Sequence, residues 1–114
     1  MNIYRYHTSG GKDLILDYIK KLPKKQQAEA MAIQLKLEIN GLDALEILNT
    51  RQLRKKLWEI KFDDNRLMYV VADSENLYIL HACKKQKGKA EKFELNKAIE
   101  RAKELEKELG KDFV

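Results

Sequence analysis

The residues most able to do chemistry in this sequence are the lysines, arginines and histidine of its middle part. Residues 51–92 carry eleven Lys and Arg against six Asp and Glu, so the formal charge of +5 originates there. A clustered positive excess favours a polyanionic partner, because each phosphate that a cation neutralises releases counterions. The alternative is a solvated face that keeps the protein soluble. Apart from Lys92, these cations are Arg51, Arg54, Lys55, Lys56, Lys61, Arg66, Lys84, Lys85, Lys87 and Lys89.

A sheet face that bears Arg, Lys and His can cleave an RNA phosphodiester without a metal. RNA supplies its own nucleophile in the 2′-hydroxyl, so the enzyme needs only a base, an acid and charge stabilisation. Lys61 is expected to project from a sheet whose other face is core, with Arg66 near it across a short turn. A lysine pKa near ~10.4 is poor for a base at neutral pH, but neighbouring cations lower it. His81 starts closer to the required range.

His81 also has a competing interpretation, and other reactive residues give weaker signals. His81 and Cys83 are expected on one strand face with Leu77 and Ile79, about 6–7 Å apart, which is too far for an activated Cys–His nucleophile. We expect Cys83 to be a small buried residue, and His81 to be either a structural histidine or a group with an acid/base or phosphate-contacting role.

Few residues in the chain are suited to bind a metal. Asp63 and Asp64 fall in a tight turn, where Asp bonds its own backbone, and no third carboxylate stands at a metal-loop spacing. The chain has two histidines and one cysteine. We therefore expect no metal, no cofactor and no intrachain disulfide.

The first half of the chain predicts a strand and two helices. Ile3–Tyr6 alternates weakly and is interpreted as a strand. Apolar residues at helical spacing from Leu14 to Leu22 predict a helix that Pro23 ends. A second helix follows and stops at Asn40-Gly41. Its expected core stripe is Ala28, Met31, Ala32, Leu35 and Ile39.

From residue 57 the period changes to that of half-buried strands. Strands are predicted at 57–62, 67–72 and 77–83, joined by polar turns at 63–65 and 73–76, which makes an antiparallel meander. A last helix begins near Glu91. Its expected stripe is Leu95, Ala98, Ala102, Leu105 and Leu109. The 114 residues thus predict one α+β domain, residues 1–114, with a small antiparallel sheet and the order β-α-α-β-β-β-α.

This ordered pattern resembles the RelE/HigB toxin superfamily, and most closely its phage-derived HigB-like branch. The resemblance covers nearly the whole chain. It is carried by Leu57–Phe62, Arg66, Leu80-His81, Lys85, Glu94, Leu95, Ala98 and Arg101 at the family spacing. The chain departs from the family pattern with Cys83 in place of Phe, Gln86 in place of a second lysine, Glu91 in place of Pro, and no Tyr after Tyr78.

The resemblance implies a toxin of a type II toxin–antitoxin system that cuts mRNA as a metal-independent endoribonuclease, usually on the ribosome. The 2′-hydroxyl would attack and leave a cyclic phosphate. Arg66 would stabilise the transition-state phosphate, Lys61 and Lys85 would bind phosphate or assist proton transfer, and His81 would be an acid/base or an orienting group. The residues expected to grip RNA are Arg54, Lys55, Lys56, Lys84, Lys87 and Lys89.

The resemblance also implies partners. These are mRNA, the 70S ribosome and a cognate antitoxin, commonly a helix-turn-helix protein, with DNA reached only through the antitoxin complex. Because no run approaches 18 apolar residues and the N-terminus lacks a signal-like apolar stretch, we expect a cytoplasmic protein without a membrane partner.

Two other functions fit the sequence. One is a ParE-like toxin that poisons DNA gyrase, although such relatives generally lack the His and lysine set at the end of the third strand of the meander. The other is a catalytically inert relative that binds RNA or ribosomes. The replacement of the second lysine by Gln86 is consistent with this function. Codon choice, ribosome dependence and oligomeric state do not follow from the sequence.

Overall fold

Five strands form one mixed sheet with helices packed on both of its faces, and this sheet is the framework of the molecule. The computed structural model describes residues 1–114. The strands are β1 (Asn2–Arg5), β2 (Thr50–Arg54), β3 (Leu57–Phe62), β4 (Asn65–Asp73) and β5 (Asn76–Lys84). The helices are α1 (Leu14–Lys20), α2 (Lys24–Asn40), the short α3 (Ala44–Ile47) and α4 (Gly88–Leu109), with a 3-10 turn at Gly41–Asp43.

The strand order is β1-β5-β4-β3-β2. The α+β class and the predicted order of seven elements are confirmed, and β2 and α3 are added to them. The sheet is mixed, not wholly antiparallel, because β1 pairs in parallel with β5. The edge strand β2 escaped prediction because it has one apolar side chain, Leu53, and therefore no alternation to detect.

Two apolar cores lie on the two faces of the sheet. The first is formed with α1 and α2 and includes Ile15, Leu37 and Ile60; the second is formed with α4 and includes Leu57 and Ala98. Because both faces are covered, β3 is not the half-buried strand that its alternation predicts. No helix of the fold has the length and apolar character that crossing a membrane requires.

The face of α2 that packs on the sheet differs from the predicted one. Ala30, Ile33, Gln34 and Leu37 are buried, whereas the expected stripe, which includes Leu35, is exposed along its length. Apolar residues occur on both sides of this helix, so spacing alone could not decide which side is core. In α4 the predicted Ala98, Ala102 and Leu105 are buried, while Leu109 is 37% exposed and the helix begins at Gly88, not Glu91.

Contrary to prediction, His81 does not share a strand face with Leu77 and Ile79, because β5 contains a β-bulge between them. Met68 pairs with His81 and the next residue, Tyr69, pairs with Ile79, so Leu80 is left without a partner. The extra residue reverses the alternation. Leu77 and Ile79 therefore lie in the first core, whereas Leu80 and Cys83 lie in the second; the strand also continues past His81 to Lys84.

A pair of leucines on α2 tests this packing. Leu37 is 0% exposed and Leu35 is 55% exposed. Leu37→Ala should lower the free energy of unfolding by about 2–5 kcal/mol, because it leaves a cavity in the core. Leu35→Ala should change it by no more than about 0.5 kcal/mol. Urea denaturation of both variants checks this, and equal losses would contradict the observed orientation of α2.

Candidate functional site

A cleft of about 320 Å³ lies against the second face of the sheet, between β2–β5 and the start of α4. Its lining is charged, with six cations and three carboxylates among twelve residues. The cations are Arg51, Lys61, Arg66, Lys84, Lys85 and Lys87, and the carboxylates are Glu59, Glu91 and Glu94. An enclosed surface with this charge concentrates anions.

Strand register places the cations on the cleft floor. Lys61 of β3 lies directly opposite Arg66 of β4, as predicted from the short turn between them. Arg66 in turn pairs with Cys83 of β5. In the next row, Glu59 stands between Arg51 and Met68. Neighbouring positions across a sheet bring side chains within interaction distance, so these rows form one surface.

Arg66 is held by the backbone of the β3–β4 turn. Its Nη1 donates to the Asn65 carbonyl at 2.8 Å and to the Asp63 carbonyl at 3.4 Å. The turn itself is anchored by the buried Asn65 side chain, which accepts from the Tyr18 hydroxyl at 2.6 Å and donates to Gln26 at 2.9 Å. The guanidinium is thus placed before any ligand binds.

Glu59 and Arg51 were not predicted as site residues. The Glu59 carboxylate is buried, with its Oε2 3.1 Å from Arg51 Nε and 3.6 Å from Arg66 Nε. Arg51 also reaches the first turn of α4, where its Nη2 lies 3.3 Å from Glu91 Oε1. The signal that could have revealed Glu59 is its place inside an apolar strand, where a charge requires a partner.

His81 belongs to a hydrogen-bond network behind the cleft. Its Nε2 lies 2.7 Å from Glu94 Oε2, and Arg101 Nη1 lies 2.9 Å from its Nδ1. A guanidinium can only donate, so Nδ1 accepts and the ring proton sits on Nε2, which donates to Glu94. Burial is the main cause that lowers the pKa of His81, so the ring is neutral at neutral pH. Glu94, not His81, lines the cleft.

The same corner gathers three groups of metal-ligand type. Ligand atoms of His81, Cys83 and Glu94 all lie within 4.8 Å of one another. A metal on Nε2 would require Nδ1 to carry a proton and donate it, but Nδ1 faces the Arg101 guanidinium. Burial also raises the pKa of Cys83 to about 12, which disfavours the thiolate a metal needs. The donor set therefore fits a hydrogen-bond network better than a metal.

The remaining predicted cations divide between two faces of the sheet. Lys84, Lys85 and Lys87 line the cleft together with Lys61 and Arg66. Lys55 and Lys56 line a separate groove of about 470 Å³ beside Trp58 and Tyr69, on the face of the first core. Arg54 and Lys89 line neither cavity.

The pH dependence of stability tests the neutral state of His81. The folded pKa lies below the ordinary value of 6.5, so below that pH the unfolded chain takes up a proton that the folded chain resists. The free energy of unfolding should fall as the pH drops from about 7 to about 5.5.

His81→Gln should flatten this dependence, measured by urea denaturation across the same range. Carboxyl groups with lowered pKa, such as Asp13 and Glu106, have ordinary values of 3.8 and 4.5 and act at lower pH. An unchanged slope in the variant would contradict the assignment.

Comparison with known proteins gives one family. A family model described as "Phage derived protein Gp49-like (DUF891)" matches residues 17–103, most of the chain. The matched segment contains every residue that lines the cleft. No curated protein was found to match the chain.

Proposed function

The chain belongs to the Gp49-like family of phage-derived proteins, and from this premise we propose that it is the toxin of a type II toxin–antitoxin system. The proposed activity is endonucleolytic cleavage of mRNA, without a metal and on the translating ribosome. The resemblance of its motifs to the RelE/HigB superfamily supports the class, and the charge of the cleft supports the substrate.

The observation that carries the proposal is the pairing of Lys61 with Arg66 on the floor of a cleft that three further lysines line. A phosphodiester placed there would meet cations from β3, β4 and the loop after β5. Charge stabilisation of this kind is the main requirement when the substrate brings its own nucleophile. Cations whose only role is to keep a surface solvated would not need to lie together in a concave site.

The proposed reaction is an in-line displacement at phosphorus. The 2′-oxygen forms a bond to phosphorus while the bond to the 5′-oxygen breaks, which leaves a 2′,3′-cyclic phosphate and a 5′-hydroxyl end. One proton leaves the 2′-hydroxyl and one is delivered to the 5′-oxygen. Arg66 stabilises the charge on the phosphoryl oxygens, and Lys61 and Lys85 bind the phosphate or assist the proton transfers.

For His81, the geometry favours the orienting role over direct acid/base chemistry. Both ring nitrogens are already hydrogen-bonded, one to Glu94 and one to Arg101. The group that faces the cleft is the Glu94 carboxylate, with a side chain 19% exposed. Its position makes Glu94 available as a proton acceptor, and His81 holds it there.

The proposal includes the partners that the toxin class implies. An mRNA on the 70S ribosome is the substrate, which places the activity in the cytoplasm. A cognate antitoxin, commonly a helix-turn-helix protein, neutralises the toxin and carries any contact with DNA.

Removing Arg66 tests the proposed activity. In a translation reaction with purified ribosomes and a defined mRNA, Arg66→Ala should slow cleavage by about 10²–10³-fold, because it removes a donor to the transition state. Lys36→Ala, which removes an exposed charge from α2, should cleave like the wild type. Circular dichroism should show that both variants fold. A wild-type protein that leaves the mRNA intact would refute the proposal.

The chemistry of the ends tests attack by the 2′-hydroxyl separately. A 2′-O-methyl group at the cleaved nucleotide should abolish cleavage there, because the nucleophile is lost. The normal product should carry a 5′-hydroxyl that a ligase joins only after phosphorylation. A 5′-phosphate product, or cleavage of the methylated site, would point instead to attack by water.

A further inference from the structure

A single buried carboxylate connects two arginines of the cleft that come from different strands. Glu59 lies in the middle of β3, 1% exposed, between Arg51 of the edge strand and Arg66 of β4. A carboxylate withdrawn from water requires compensating charge. Here that charge comes from two guanidinium groups, both of which also line the cleft.

The geometry leaves donors of both arginines free for a ligand. Each guanidinium faces Glu59 Oε2 through Nε, and that oxygen receives no well-aligned hydrogen bond. Arg66 donates to backbone carbonyls from Nη1, and Arg51 contacts Glu91 from Nη2. The second Nη group of each arginine donates no hydrogen bond within the protein, so a phosphate could receive two guanidinium donors at once.

The charge of Glu59 opposes anion binding, which separates its role from that of the cations. A negative charge in the floor of the cleft weakens the attraction of a phosphate to Lys61, Arg51 and Arg66. Packing does not demand a carboxylate at this position, because its cross-strand partner Met68 and its strand neighbour Leu57 belong to an apolar core. The contacts with Arg51 and Arg66 therefore explain why this position has a carboxylate.

We propose that Glu59 is a positioning residue that holds Arg51 and Arg66 as a guanidinium pair around one phosphate of the RNA. This inference rests on the proposed function for its substrate. It adds Arg51 to the cations that contact the phosphate and gives the buried carboxylate a role in orienting them.

The test measures RNA binding and cleavage separately in Glu59→Gln. Binding uses a fluorescein-labelled RNA oligonucleotide that is 2′-O-methylated throughout and cannot be cut. The variant should bind it about twofold to fivefold more tightly, because a negative charge is gone. Its cleavage rate at saturating mRNA should fall at least about tenfold, because Arg66 Nε loses its anionic partner and only the Nη1 bonds to the turn backbone still hold the guanidinium. Damage to the fold would weaken both.

Glu100→Gln is the matched control. It removes the same charge from an exposed position of α4 that lies outside the cleft. It should leave both the binding and the cleavage rate within about twofold of the wild type. Equal cleavage rates in the two variants would overturn the inference, as would weaker binding by Glu59→Gln.

A second variant keeps the inference testable if the first one is unstable. If Glu59→Gln does not fold, Glu59→Asp keeps the charge but shortens the side chain, so binding should stay unchanged while cleavage slows; unchanged cleavage would overturn the inference.

A double-mutant cycle between Glu59→Gln and Arg66→Ala, read by oligonucleotide binding, needs no cleavage. The binding loss from Arg66→Ala should shrink in the Glu59→Gln background, and strictly additive effects would overturn the inference. A wild type that cuts no mRNA would refute the proposed function alone.

Discussion

The register between β3 and β4 is the constraint on which the cleft depends. It places Lys61 opposite Arg66 and Glu59 opposite Met68, with all four on the face that α4 partly covers. A slip of one residue would turn Ile60 into the cleft and carry the charged side chains into the first core. The turn that fixes this register is tied to α1 and α2 through the buried Asn65.

The sequence predicts the cleft floor well because apolar and charged side chains alternate clearly along β3. The alternation in β3 and the short turn after it were enough to place Lys61 beside Arg66. The same reasoning could not reveal β2, whose polar side chains carry no period, or the bulge at Leu80, which depends on pairing with β4. Glu59, and the position of Arg51 beside it, were therefore found only in the tertiary structure.

Burial explains the other departures from prediction. Spacing predicted the wrong core face for α2, because apolar residues occur on both sides of the helix and the sheet buries the side with Ile33 and Leu37. The sequence left His81 open between a structural histidine and an acid/base or phosphate-contacting group, because its partners, Glu94 and Arg101, come from a helix more than ten residues later. Buried between them, the ring is neutral and is hydrogen-bonded to the Glu94 carboxylate, which lines the cleft.

Inducible expression in bacteria, with growth followed and mRNA 5′ ends mapped, tests the central claim most directly. The wild type should arrest growth and produce new 5′ ends inside translated regions, and Arg66→Ala at equal soluble expression should do neither. Growth arrest with intact mRNA and a DNA-damage response would contradict the account and indicate a gyrase poison. Continued growth at good soluble expression of the wild type would contradict it as well and indicate an inert binding protein.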